Sequence, residues 1–362
     1  MKIAHISDTH IKNLKNHDEY RTIFNKMYEL LRSENVDAIV HCGDIAHTKT
    51  QISPEFVDMA GEFFRNLAAI APTYIILGNH DGNLKNLDRQ DAITPIVEAL
   101  NNPDIHLLKK SGEVHIDEKF SLNVLSIFDR DSWTKPSNPD KINIALYHGA
   151  IEGSKTDTGW AMKDTDDSIN IFDDFDFAFL GDIHKQQFLK WRVAYCGSLI
   201  QQNFGEETDK GLLIWDIQEK DIFRTKKIYL KNTSPFLTIN YTGEDTYIPS
   251  NSFVRIILDK FYSKDQVQEI KDKIQSQYNP RSIVVIDKHT QQVENTLEEG
   301  DKTKLNLRDN NVQQELIKEF LEGDNLPEDV LNQVLEINTK YNLEAEVADD
   351  VARNIKWKLE SF

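Results

Sequence analysis

In the N-terminal half, apolar residues come in short, often β-branched runs that end abruptly at Asp, Asn or His. Residues 3–7 lead into Asp8, residues 36–40 lead toward Gly43-Asp44, and residues 74–77 lead into Gly78-Asn79-His80-Asp81. Further on, residues 144–147 lead into His148, and residues 177–180 into Gly181-Asp182-Ile183-His184. Such runs predict strands buried on both faces. Between the first three lie stripes at helical spacing, one through Tyr20, Ile23, Phe24, Met27, Leu30 and Leu31, another through Phe56, Phe63, Phe64 and Leu67. Both predict amphipathic helices. The alternation predicts an α/β fold in which helices cover the sheet and ligands gather beyond the carboxyl ends of strands. Five strands ending in ligand-type residues therefore point to one shared site.

After about residue 230 the pattern changes. Residues 236–241 and 253–258 read as strands, 264–277 as a helix and 282–287 as a closing strand, a small α/β module of its own. A polar, acidic stretch over 289–309 follows and reads as a linker. The remaining residues carry three helical stripes, through Val312, Leu316, Phe320 and Leu321, through Leu331, Val334, Leu335 and Ile337, and through Leu343, Val347, Val351 and Ile355. The second is entered at Pro327, where a helix start tolerates proline. These stripes either pack on a core of their own or, tethered by the linker, bury against a partner; the tether favours the partner. The expected layout is a catalytic domain over 1–232, a small capping module over 233–290, a linker over 291–310 and a helical partner-binding region over 311–362.

At 362 residues the chain exceeds one compact core. Hydrophobic residues at 39% and charged residues at 28% fit a soluble globular protein rather than a disordered one. The apolar run at residues 1–6 is too short for a secretory signal, and no stretch approaches a membrane span, so a cytoplasmic location is expected. Cys42 and Cys196 supply neither a disulfide scaffold nor a thiolate zinc site and read as free buried thiols. A net charge of -18 argues against nucleic-acid binding, which normally leaves a basic footprint. Bound cations would offset part of that charge locally, and the acidic residues concentrate toward the C-terminal portion.

A hard divalent cation doing phosphate chemistry takes carboxylate, amide and imidazole ligands while leaving positions open for water and substrate. Asp8 and His10, Asp44, Asn79, His148, Asp182 and His184 supply that set in order. Each fragment alone is more often a capped turn. Five in sequence, each at a strand end, are not independent turns. By contrast, His5 and His41 lie inside strands and read as core residues, and His17, His106, His115 and His289 carry no functional argument. Ser198 lacks the strand-to-helix Gly-x-Ser-x-Gly context of a serine hydrolase. No phosphate-cradling Gly-x-x-x-x-Gly-Lys-Ser/Thr occurs either, so nucleotide hydrolysis would have to come from a separate subunit.

The ordered series Asp8-x-His10, Gly43-Asp44, Gly78-Asn79-His80-Asp81, His148-Gly149 and Gly181-x-x-His184 resembles the calcineurin-like metallophosphoesterase family. Asp44-Ile45-Ala46-His47 and Tyr195-Cys196-Gly197-Ser198-Leu199, with Asn203-Phe204-Gly205-Glu206 after it, are similar to the recombination-repair exonuclease branch of SbcD type. The resemblance covers roughly the first 210 residues. It implies a layered β-sandwich flanked by helices and two divalent ions, manganese first and magnesium as the alternative. One would be held by Asp8, His10, Asp44 and His184, the other by Asp44, Asn79, His148 and Asp182. The family usually has His where this chain has Asp182. The resemblance further implies that His80 protonates the leaving oxygen or stabilises the transition state, and that His47 contacts the scissile phosphate or sugar.

The activity so implied is a manganese-dependent DNA nuclease, 3′-to-5′ exonuclease on duplex ends and endonuclease on single strands. Its partners would be DNA, an SMC-like ATPase bound through the C-terminal helices, and a second copy of the nuclease subunit. Two other readings stay open. A small-substrate phosphodiesterase or protein phosphatase would use the same dinuclear residues, but needs neither His47 nor the 195–206 segment. A scaffold subunit with a degenerate site would not need so complete a ligand set.

Overall fold

The computed structural model describes residues 1–288, apart from Gln51, Asp164, Asp166, Glu244 and Asp245, together with Gln333. The acidic linker and the three C-terminal stripes expected from the sequence lie outside the described residues. Contacts group Met1–Asp287 into one unit.

Fifteen strands and four α-helices make up that unit. Strand β1 is Lys2–Ile6, β2 Ala38–Cys42, β3 Thr73–Ile76, β4 Ile105–Leu108, β5 Gly112–His115, β6 Phe120–Leu125, β7 Ile142–His148 and β8 Phe177–Gly181. Then come β9 Gln187–Lys190, β10 Val193–Tyr195, β11 Gly211–Glu219, β12 Ile222–Tyr229, β13 Phe236–Asn240, β14 Phe253–Leu258 and β15 Ser282–Asp287. Helix α1 is His17–Glu34, α2 Pro54–Ala68, α3 Thr94–Leu100 and α4 Lys264–Tyr278. Two six-stranded sheets run in the orders β12-β11-β1-β2-β3-β4 and β5-β6-β7-β8-β10-β9. The fold is thus mixed α/β, with parallel central strands and antiparallel edges except at β4, which pairs parallel with β3.

The period of two along each strand sends side chains into separate cores. From β1 and β2, Ile3, Ala38, Val40 and Cys42 enter the layer between the sheets, where they meet Leu122, Leu146, Phe179 and Trp215. Their neighbours Ala4, Ile6 and Ile39 face the helices, packing with Tyr20, Phe24, Phe56 and Phe63. Each fully buried aliphatic contributes roughly 1.5–3 kcal/mol, so a polar residue at these positions needs a partner. His5 has one, its Nε2 lying 3.1 Å from the Leu180 carbonyl while its ring stacks on Phe179, and His41 Nε2 lies 3.4 Å from the Thr9 hydroxyl. Both imidazoles are fully buried core residues.

Helix α2 starts where Ser53 caps it, the Phe56 amide donating to the serine hydroxyl at 3.1 Å with Pro54 just inside. The third sheet, β13-β14-β15, is parallel and carries α4 against its own apolar cluster of Ile248, Val254, Ile256 and Leu258. It joins the larger body by two-way hydrogen bonds between Gln201 and the Phe236 backbone and by an ion pair of exposed Arg281 with buried Glu19. No helix among the described residues is long and apolar enough to cross a membrane.

Candidate metal centre

The carboxyl ends of β1, β2, β3, β7 and β8 meet, and the chain leaves each through a strained or close-packed turn. Asp8, His10, Asp44 and Asp182 all adopt positive φ, at 52°, 44°, 58° and 95°. That conformation is uncommon for residues with a Cβ and clusters where geometry serves function. Gly78 admits the close approach, because a Cβ there would collide with the Asp44 carboxylate and the His148 ring.

The result brings most of the expected ligands together. Three sets of ligand atoms, each lying within 4.8 Å of one another, are formed by Asp8, His10 and His184, by His10, Asp44 and His80, and by Asp8, Asp44 and His148. Asp182 and Asn79 complete the ring. Asn79 Nδ2 donates to Asp182 Oδ1 at 3.4 Å, His148 Nε2 lies 3.7 Å from the same oxygen, and the Asp182 amide donates to Asp8 at 3.1 Å. His80 sits at the rim, exposed, with its ring 4.8 Å from that of His10, while His47 is half-buried at 5.7 Å.

Hydrogen bonds outside the ring decide which nitrogens face inward. The Cys42 carbonyl, which only accepts, lies 2.7 Å from His148 Nδ1, so that nitrogen carries a proton and Nε2 is the one turned into the ring. Nε2 is buried without a hydrogen-bond partner and faces Asp44 Oδ1 at 3.4 Å. Likewise His184 Nδ1 donates to Glu206 Oε1 at 2.9 Å, turning its Nε2 toward His10 Nε2 at 3.0 Å. Two imidazole nitrogens that close repel unless they share a proton or a cation. Together with the orphaned Asn79 Oδ1 and three converging carboxylates, this donor set fits divalent metal ions.

Charge tells the same story. Burial raises the Asp8 carboxyl to about 6, and burial with the Asp44 charge raises Asp182 as well. Burial works against a charged His148, yet Asp44, Asp8 and Asp182 outweigh it and raise its proton affinity well above the usual value. Two buried carboxylates and the partly buried Asp182 thus call for positive charge, a proton or a metal ion, at the point where these nitrogens aim.

Two residues brace the ring that strand patterning did not single out. Asp81 is fully buried and accepts the amides of Asp44, Ala46 and Gly78 at 2.8, 2.8 and 2.9 Å, tying two strand-end loops together. Burial and the Asp44 charge raise it to about 7 against the pull of those donors. Glu206, which the sequence reading used only as part of a family motif, orients His184 and is itself held by Lys210 at 3.2 Å. Lys210 is 1% exposed and also contacts Asp157 at 3.0 Å. Burial opposes the Glu206 charge, but His184 and Lys210 prevail and bring its carboxyl down to about 2. No local pattern marks either role, since Glu206 meets His184 across 22 residues and Asp81 meets Asp44 across 37.

Residues 1–186 match the family model described as calcineurin-like phosphoesterase. An uncharacterised protein of Acanthamoeba polyphaga mimivirus is 38% identical over 302 residues, 78% of this chain and 22% of that protein. A candidate phosphoesterase of Invertebrate iridescent virus 6 is 29% identical over 61% of this chain and 78% of its own length. The DNA double-strand break repair protein Mre11 of Sulfurisphaera tokodaii is 24% identical over 93% of this chain and 78% of its own. The chain spans 22% of the length of the mimivirus protein it matches. With more than half of its residues inside the family model and the family's ordered ligand series converging at one end of its sheets, this chain belongs to the calcineurin-like phosphoesterase family.

Proposed function

We propose that this chain is the nuclease subunit of a DNA repair or recombination complex, cutting phosphodiester bonds with two divalent ions, manganese first. Asp8, His10, Asp44 and His184 would hold one ion and Asp44, Asn79, His148 and Asp182 the other, with Asp44 between them. When bound, such ions lower the pKa of a water and stabilise charge on the attacked phosphate.

The observation that carries a polymer substrate is the shape of the site. Clefts of 490 and 480 Å³ meet at Asp182, one reaching toward Thr156, Trp160 and Glu206, the other toward Asn79, His148 and Lys163. A strand has somewhere to go on both sides of the scissile phosphate, which a small phosphate ester does not need. The Mre11 relative, named for double-strand break repair, points the same way. Lysines at the rim answer the chain's overall acidity: Lys49 donates to the Asn79 carbonyl at 2.9 Å, and Lys163 lines the second cleft.

His80 is the residue placed to move a proton. Its Nδ1 lies 2.8 Å from the His47 carbonyl, so that nitrogen keeps its proton and Nε2 is the one left to exchange a proton with the leaving oxygen. Such help is worth about a hundred- to ten-thousand-fold in rate. His47, beside it, would steady the phosphate or sugar. A complex with an SMC-like ATPase, bound through residues 311–362, and pairing with a second nuclease subunit complete the proposal.

The test is a cleavage assay on end-labelled duplex and single-stranded DNA with manganese or magnesium. The wild type should degrade both, and His80→Ala should lose at least about a hundredfold. Cleavage of small phosphodiesters without any DNA cleavage would favour the small-substrate reading instead. Removing residues 311–362 should abolish co-purification with the ATPase; retained co-purification would move the partner site elsewhere.

A further inference from the structure

Trp160 is 60% exposed, and no aromatic ring stacks on it among the described residues. An indole facing water inside a cleft offers a broad apolar face to a planar ligand. It does not stand on an unsupported surface. Trp160 lines the 490 Å³ cleft that Asp182 and His184 also line, so a molecule whose phosphate meets the metal ions those residues would carry would present its next group to the indole.

The loop that carries it is built to hold still. Lys155 and Ala161 form an antiparallel bridge, and the Thr156 amide donates to the Trp160 carbonyl at 2.9 Å. The Gly159 amide closes the turn on the Thr156 carbonyl at 2.9 Å, with Gly159 at φ 83°, a conformation that favours glycine. At its base, Asp157 accepts from the Glu207 amide at 3.2 Å and from buried Lys210 at 3.0 Å. Lys210 in turn contacts Glu206, the residue that orients His184. The indole and the His184 imidazole are therefore anchored to the same buried ion network.

From this placement we infer that Trp160 is a stacking platform for a nucleobase of the strand held at the metal centre. The ligand class is a nucleotide unit, a planar heterocycle joined through a sugar to a phosphate. Thr156, Thr158 and Asn203 also line the cleft, and its two carboxylates besides Asp182, those of Asp157 and Glu206, are each paired with Lys210. Stacking is tolerant of base identity, which suits a nuclease that reads no sequence. The inference rests on the nucleic-acid reading above and extends it to a named contact.

The test separates the two. With manganese present, the affinities of thymidine 5′-monophosphate and deoxyribose 5-phosphate are measured by titration for the wild type, Trp160→Ala and Trp160→Phe, each first checked for unchanged thermal unfolding. Both probes are monoesters that a phosphoesterase can hydrolyse, so phosphate release is followed alongside, and the ratio of KM values replaces the ratio of affinities if release occurs. The wild type should prefer the nucleotide by about tenfold, the size expected for one stacked base. Trp160→Ala should erase that preference and Trp160→Phe keep most of it. An equal preference in the wild type and Trp160→Ala, or no preference in the wild type, overturns the inference. A wild type that shows the base preference but cuts no DNA would sink the nuclease reading and leave the platform standing.

Discussion

The Glu206 carboxylate and His184 Nδ1 lie 2.9 Å apart, and the same carboxylate lies 3.2 Å from the buried ammonium of Lys210. This carboxylate–histidine pair fixes which imidazole nitrogen faces the metal centre and makes it a better donor. Partners of that kind are worth roughly ten- to a hundredfold in metal affinity. Glu206→Gln should weaken manganese binding by about tenfold with little change in fold, read by calorimetric titration. Lys210→Met should cost more, because Glu206 and Asp157 then lose their buried counter-charge. Unchanged affinity in Glu206→Gln would remove the pair from the site.

Asp81 is the scaffold counterpart. Three backbone amides from two strand ends share its carboxylate. Asp81→Ala leaves those donors buried and unsatisfied, at about 1–3 kcal/mol each. Urea unfolding should show a loss of about 3 kcal/mol or more, and manganese affinity should fall with it because Asp44 is no longer held. A loss below about 1 kcal/mol would mean that water replaces the brace.

How much of this was legible along the chain follows from the range of the forces involved. Runs apolar on both alternating faces mark β1, β2, β3, β7 and β8, and their ends carry the ligand residues, so most of the candidate ring could be read locally. β11 could not be placed that way. It lies antiparallel beside β1, with Lys2 opposite Asp216, a pairing that periodicity does not encode. Short elements such as α3, with seven residues, and the half-exposed edge β5 carry too few periods to register. Glu206 reaches His184 across 22 residues, and Asp81 reaches Asp44 across 37, so their roles exist only after the strands have paired. The apolar run read at residues 36–40 and the strand itself, Ala38–Cys42, differ by two residues at each end, and His41 lies inside the strand as expected, with Thr9 and Phe63 about its ring.

His5 gives a pH dependence with a definite sign. Burial depresses its proton affinity from 6.5 to about 3 in the folded chain. Between those values the unfolded chain binds the extra proton, so this residue's contribution is complete above pH 6.5 and declines as pH falls toward 3. The slope is about 1.4 kcal/mol per pH unit for one such group. Urea unfolding of His5→Asn against the wild type at pH 7.5 and pH 5 should show a shallower pH dependence in the variant. Identical slopes would show that the His5 site opens to water.

Asp182 stands where the family usually has histidine, and its carboxylate adds a third negative charge to the ring. Asp182→His should remove that charge and shift preference from manganese and magnesium toward zinc, since imidazole suits the softer ion. Competitive titration of the three metals reads the shift. An unchanged order of affinities would place Asp182 outside the coordination sphere.

The most direct measurement is a manganese titration of the full chain followed by the paramagnetic resonance signal of the free ion. Convergence of Asp8, His10, Asp44, Asn79, His148, Asp182 and His184 predicts two bound ions per chain, with Asp44→Asn weakening both because Asp44 is the shared ligand. A chain that takes up no manganese, or an Asp44→Asn variant that binds both ions as tightly as the wild type, would contradict it.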